Sequence, residues 1–175
     1  MGNYKTKYFG EIFIDETSDF EYIDVPYKDK EINISLADCD IYGDKLKTCI
    51  KILDKYTEIN EIAKKAIIEN FSGNETIRYY FACHFDILEE ELIQEIFGVK
   101  TFDKIDIKSI VEKLGEPSLL FGIENNEINF SVDYKIAEEY SDEILCVKMD
   151  EKLNITDFAH ESWREFINFI IAEAD

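Results

Sequence analysis

Two prolines and seven glycines in 175 residues leave this chain without a low-complexity linker, and no repeat divides it. It reads as one domain over 1–175, long enough to remove roughly 70% of its unfolded surface from water on folding. Basic residues are in short supply: 19 Lys and Arg stand against 39 Asp and Glu, a formal net charge of −20. With no basic stripe to interrupt the acid, a phosphate backbone would be repelled, and nucleic acid is not an expected partner. No apolar run approaches the ~20 residues of a membrane span, and the N-terminus lacks the apolar core of a signal peptide, so a cytoplasmic protein without a membrane partner is expected. The cysteines Cys39, Cys49, Cys83 and Cys146 contain no Cys-x-x-Cys pair and sit among apolar neighbours. They read as buried free thiols of a reducing compartment. Gly-rich phosphate loops, His-Glu-x-x-His and Gly-x-Ser-x-Gly are all missing, and no cofactor or metal is implied.

What is present is a strong alternation of apolar and polar residues at both ends of the chain. Leu119, Phe121 and Ile123 alternate with smaller or polar residues up to Asn125-Asn126, after which Ile128, Phe130, Val132, Tyr134 and Ile136 alternate with polar ones. A two-residue Asn125-Asn126 turn sets Ile123 opposite Ile128, Phe121 opposite Phe130 and Leu119 opposite Val132, all on one face. The segment Glu143–Met149, apolar on both faces, reads as the middle strand of the sheet. Asn154–His160 follows as another strand, and Ser162-Trp163-Arg164-Glu165 as a capping box that starts a final helix. Near the N-terminus, Ile12 and Ile14, then Ile23, Val25 and Tyr27, then Ile32, Ile34 and Leu36 mark further strands. A turn with Lys28 opposite Glu31 would pair Tyr27 with Ile32 and Val25 with Ile34, with Pro26 on an edge.

Between these ends lie helical stripes. Leu46, Cys49, Ile50 and Leu53 form one, with Asp44 as N-cap; Ile59, Ile62, Ala63, Ala66, Ile67 and Phe71 form a second, capped by Thr57. A longer pattern runs from Ile77 to Phe97, opened by a Ser72/Glu75 capping box, ended by Gly98 and broken near Asp86. Ile107, Ile110, Val111 and Leu114 close the helical middle.

Few residues carry chemistry. Asp38-Cys39-Asp40-Ile41-Tyr42-Gly43 matches the start of a calcium loop, but position twelve is Cys49 where a bidentate Glu is needed, so no metal is expected there. Cys83 and His84 are adjacent on a helix and point about 100° apart, which argues against a thiol–imidazole pair and for a satisfied core histidine. His160, Glu161 and Ser162 bring imidazole, carboxylate and hydroxyl together in sequence, but consecutive residues at a strand end diverge. The acids of Glu89-Glu90-Glu91 spread around a helix and read as solvated.

The segments Val132-Asp133-Tyr134, Ser141-Asp142-Glu143-Ile144-Leu145-Cys146-Val147, Asp150 and His160-Glu161-Ser162, with Tyr8-Phe9-Gly10 and Thr76-Ile77-Arg78-Tyr79-Tyr80-Phe81 plus His84, resemble a family of small bacterial cytosolic domains of unknown function. Acidic proteins of this kind look like the immunity proteins of toxin systems, which neutralise a toxin by binding it. The resemblance implies a non-enzymatic, antitoxin-like inhibitor of a basic toxin. The expected architecture is α+β, an antiparallel sheet from N- and C-terminal strand meanders packed on central helices and a C-terminal helix. A basic protein partner would meet an acidic face built from Glu89, Glu90, Glu138, Glu139 and Asp142, with Tyr140 as its aromatic anchor. The alternative is a hydrolase or transferase with a site near His160.

Overall fold

The computed structural model describes residues 2–15, 21–37 and 40–162. Among them are eight strands and five α-helices, an α+β arrangement. Strands β1 (Gly2–Thr6) and β2 (Gly10–Ile14) form a separate two-stranded hairpin, and β1 carries too weak an alternation to have been expected. Strands β3 (Glu21–Tyr27) and β4 (Lys30–Leu36) precede helices α1 (Gly43–Leu53), α2 (Tyr56–Asn70), α3 (Glu75–Ile87), α4 (Glu90–Phe97) and α5 (Ile107–Lys113). Strands β5 (Ser118–Glu124), β6 (Glu127–Tyr134), β7 (Ile144–Asp150) and β8 (Ile155–Glu161) then complete a six-stranded sheet in the order β3-β4-β5-β6-β7-β8. The two meanders therefore belong to one sheet. It is antiparallel within β3–β4 and within β5–β6, but parallel where β4 meets β5, with Ile34 beside Leu119 and Leu36 beside Phe121. That parallel pair departs from the all-antiparallel expectation, and the helical middle of the chain supplies the long connection such pairing needs.

The β5–β6 hairpin has the expected register: Glu124 faces Glu127, Ile123 faces Ile128 and Phe121 faces Phe130. Asn125 and Asn126 both take positive φ (52° and 67°), as a tight turn matched to strand twist requires. In β3–β4 the register is two residues tighter than expected. Tyr27 pairs with Lys30 and Val25 with Ile32, because the loop is only Lys28-Asp29 with Lys28 at φ 57°. A slip of two leaves every side chain on its expected face, so Val25, Ile32 and Ile34 are buried all the same. Pro26 lies on the edge strand. Strand β7 is next to the edge strand β8 and is not the middle of the sheet, although Leu145, Cys146 and Val147 are all buried.

Helix starts also differ from expectation. Tyr42, not Asp44, precedes α1, and Asp44 instead pairs with Lys47; Thr57 lies inside α2; Asn74, not Ser72, caps α3 by accepting from the Ile77 amide at 3.0 Å. The long helical pattern breaks at Leu88-Glu89, and Gly98 ends α4 with φ 71°. The terminal helix, the capping-box residues after Ser162, and Asp38 and Cys39 of the tested calcium loop lie outside the described residues.

The described residues group into two compact units, each assembled from separate segments: those of 1–63 with 116–133 and 147–157, and those of 64–115 with 134–146 and the residues from 158 to 162. In the first, Tyr56 meets Phe9 and Tyr27 edge-on at 5.0 Å, Phe9 and Tyr27 tilt against each other at 5.6 Å, and the Tyr56 hydroxyl donates to the Pro117 carbonyl at 2.8 Å. In the second, Phe81 contacts Phe71, which also meets Phe102, while Phe85 packs on Phe97 and Phe102. Phe9, Tyr56, Phe81 and Phe97 are buried, while Tyr27, Phe71, Phe85 and Phe102 are half-buried against them.

Candidate functional site

The second unit holds the chemistry. Tyr80, on α3, is wholly buried, and its hydroxyl accepts the Ile136 amide at 2.8 Å and donates to the Tyr134 carbonyl at 3.4 Å. This ties the segment that follows β6 to the helix. One turn further along α3, the His84 Nδ1 meets the Tyr80 carbonyl at 2.8 Å, and the Cys83 thiol donates to the same oxygen at 3.0 Å. The thiol and the His84 Nδ1 are 3.6 Å apart, closer than helical divergence alone implied, because the shared carbonyl draws both groups back along the helix. His84 is a core histidine, as expected, but only half satisfied: its Nε2 is buried without a hydrogen-bond partner. Burial pushes its pKa down, so the ring is neutral. Burial, aided by the nearby Glu143 and Asp86 carboxylates, pushes the Cys83 thiol up to about 12.

Glu143, just before β7, is the residue that sequence reasoning missed. It is 6% exposed, and its Oε2 lies 2.5 Å from the His160 Nε2 while its Oε1 accepts from the Ser162 hydroxyl at 3.1 Å. The divergence argument applied to consecutive residues and overlooked the alternate ones: His160 and Ser162 are two apart, so an extended backbone sends both side chains to one face, where a single carboxylate meets them. An acid at the mouth of one apolar strand, with a histidine on the next, was the signal available. The rings of Tyr79 and Tyr80 stand edge-on to the imidazole at 5.2 and 5.9 Å. The Cys83 sulfur, a Glu143 oxygen and a His160 nitrogen lie within 4.8 Å of one another. His160 also lines an open depression of about 430 Å³ with Glu75, Thr76, Tyr79 and Ala159.

The residues expected to meet a partner fall on two elements. Glu89 and Glu90 open α4, both exposed, with Glu90 bonded to Lys100. Glu138, Glu139, Tyr140 and Asp142 share the segment between β6 and β7; the first three are exposed, Tyr140 by 56%, and Asp142 is half-buried. That segment folds on itself through Ala137, whose φ is 59° and whose carbonyl accepts the amides of Tyr140 and Ser141 at 2.8 and 2.9 Å. Its two ends are pinned, Ile136 by Tyr80 and Glu143 by His160 and Ser162.

No helix among the described residues is long and apolar enough to cross a membrane. Comparisons with family models, with curated proteins and with solved structures match nothing to this chain.

Proposed function

We propose that this protein is a non-enzymatic acidic binding protein that engages a basic protein partner through the segment 137–142. The observation that carries the reading is the exposed Tyr140, set between Glu139 and half-buried Asp142 on a segment pinned at both ends. An anchor held in place before binding loses little conformational entropy on docking, and the surrounding carboxylates steer a cationic surface toward it. The net charge of −20 supplies the long-range field. The resemblance to immunity proteins makes that partner a basic toxin, neutralised by direct binding.

The test is retention of basic proteins from a lysate of the source cell on the immobilised chain at low salt. We expect specific retention that is lost with Tyr140→Ala and with the double change Glu138→Lys and Glu139→Lys, and association that slows strongly as salt rises from about 0.05 M to about 0.5 M while dissociation changes little. Retention of nothing basic, or equal retention by these variants, overturns the reading.

The Glu143–His160 pair beside Cys83 favours a second reading, a hydrolase or transferase working near His160. It ranks below the first because a thiol held protonated at neutral pH is a poor nucleophile and the depression at His160 is open to solvent.

A further inference from the structure

Beyond pinning one end of the segment 137–142, the cluster of Cys83, Glu143 and His160 plays no part in partner binding, and its composition is unusual for a structural ion pair. A buried carboxylate and imidazole satisfy each other without help from a thiol, yet here a sulfur, an oxygen and a nitrogen from α3, the start of β7 and the end of β8 converge within 4.8 Å. Sulfur, imidazole nitrogen and carboxylate oxygen are together the donor set of zinc and of metals like it, whereas calcium and magnesium take oxygen alone. We propose that Cys83, Glu143 and His160 bind one divalent transition-metal ion of the zinc type.

Charge supports the assignment: a thiolate, a carboxylate and a neutral imidazole cancel the ion's two positive charges, so the buried site is neutral when loaded. The thiol proton leaves to solvent as the sulfur binds. The outer groups are also in place. The Ser162 hydroxyl holds the second Glu143 oxygen, and the tyrosine rings fix the plane of His160. Tetrahedral bonds of about 2.0–2.3 Å set ligand atoms roughly 3.3–3.6 Å apart, so the side chains need shift only on the order of 1 Å, with the ion replacing the proton between His160 and Glu143. Three protein ligands leave a fourth position, and the depression lined by His160 offers a way in.

The experiment is titration of the full, chelator-stripped chain with Co²⁺, followed by displacement with Zn²⁺. We expect one equivalent to bind, with tetrahedral visible absorption and a thiolate-to-cobalt charge-transfer band that Zn²⁺ abolishes. Cys83→Ser should remove the charge-transfer band, and His160→Gln should weaken Zn²⁺ binding at least about tenfold. Absence of the band in the unmodified chain overturns the proposal whatever the folding of the variants. So does a band that survives Cys83→Ser, or equal Zn²⁺ affinity in His160→Gln.

Discussion

Replacing Tyr80 by Phe isolates one hydroxyl. The ring stays, so its edge-on contacts with Phe81 and His84 at 5.0 and 5.1 Å persist and no cavity opens. What is lost is the acceptor of the Ile136 amide at 2.8 Å and a longer, weaker donation to Tyr134 at 3.4 Å. Because Tyr80 and Ile136 are buried, the orphaned amide bears its desolvation penalty, about 1–3 kcal/mol; with one short bond and one long one the expected loss is about 2 kcal/mol. For a chain of this length that lowers Tm by roughly 4–8 °C, and with a urea m-value of about 2 kcal/mol/M it lowers the midpoint by about 1 M. The assay is urea unfolding combined with hydrogen exchange read at the Ile136 amide. Faster exchange there, with an unchanged m-value, is expected. A midpoint within about 0.2 M of the unmodified chain, together with unaltered Ile136 protection, refutes the claim that this hydroxyl pins the segment after β6.

Phe121→Asp or Phe130→Asp should abolish or severely weaken folding, since the rings face each other at 5.5 Å in full burial and either change buries an unpaired charge; near-native melting of both would count against the hairpin. Asn126→Ile should cost about 1–2 kcal/mol at a φ of 67° while Asn126→Gly stays within a few tenths, measured as paired denaturation midpoints. Cys49, buried on α1, has its thiol pushed up by burial from 9.0 to about 12. Its unfolded form therefore releases a proton first as pH rises, so its share of stability is intact below pH 9 and is lost between pH 9 and about 12. Cys49→Ser should show a shallower alkaline fall in Tm than the unmodified chain, and parallel profiles would contradict this.

How much was legible in the letters depended on how local the cause is. Alternation determines which face a side chain takes, so Val25, Ile32, Phe121 and Phe130 were placed inside correctly. It does not determine an even-numbered slip. Asn125-Asn126 marks its own turn because asparagine tolerates positive φ, whereas Lys28-Asp29-Lys30-Glu31 offers no residue that demands the bend, and that register was two residues off. Strand order and the parallel junction arise from packing across the whole chain, which no window of sequence contains. The site divided the same way. His160 and Cys83 were singled out as isolated chemistries, but the carboxylate that joins them, Glu143, is remote from Cys83 in sequence and was read as the start of an apolar strand. Glu138, Glu139, Tyr140 and Asp142 share one continuous segment, so their proximity is legible in the letters, whereas Glu89 and Glu90 lie at the start of α4.

The parallel pairing of β4 with β5 bears on how the chain is made. Strand β4 leaves the ribosome early, yet the strand that covers its outer edge follows five helices later. Until Ser118–Glu124 emerges, one side of Lys30–Leu36 presents unpaired amides and carbonyls, with Ile32, Ile34 and Leu36 lacking the covering they have in the finished protein. Closing so long a loop is slow, so the interval is governed by the rate of translation as well as by chain diffusion. Asp24, Asn33, Lys30 and Glu31 stud this hairpin with charge and amide groups, which disfavour edge-to-edge association of nascent chains during that wait. The acidic side chains of this hairpin, Asp24 and Glu31, thus guard a half-made sheet before the finished protein exists.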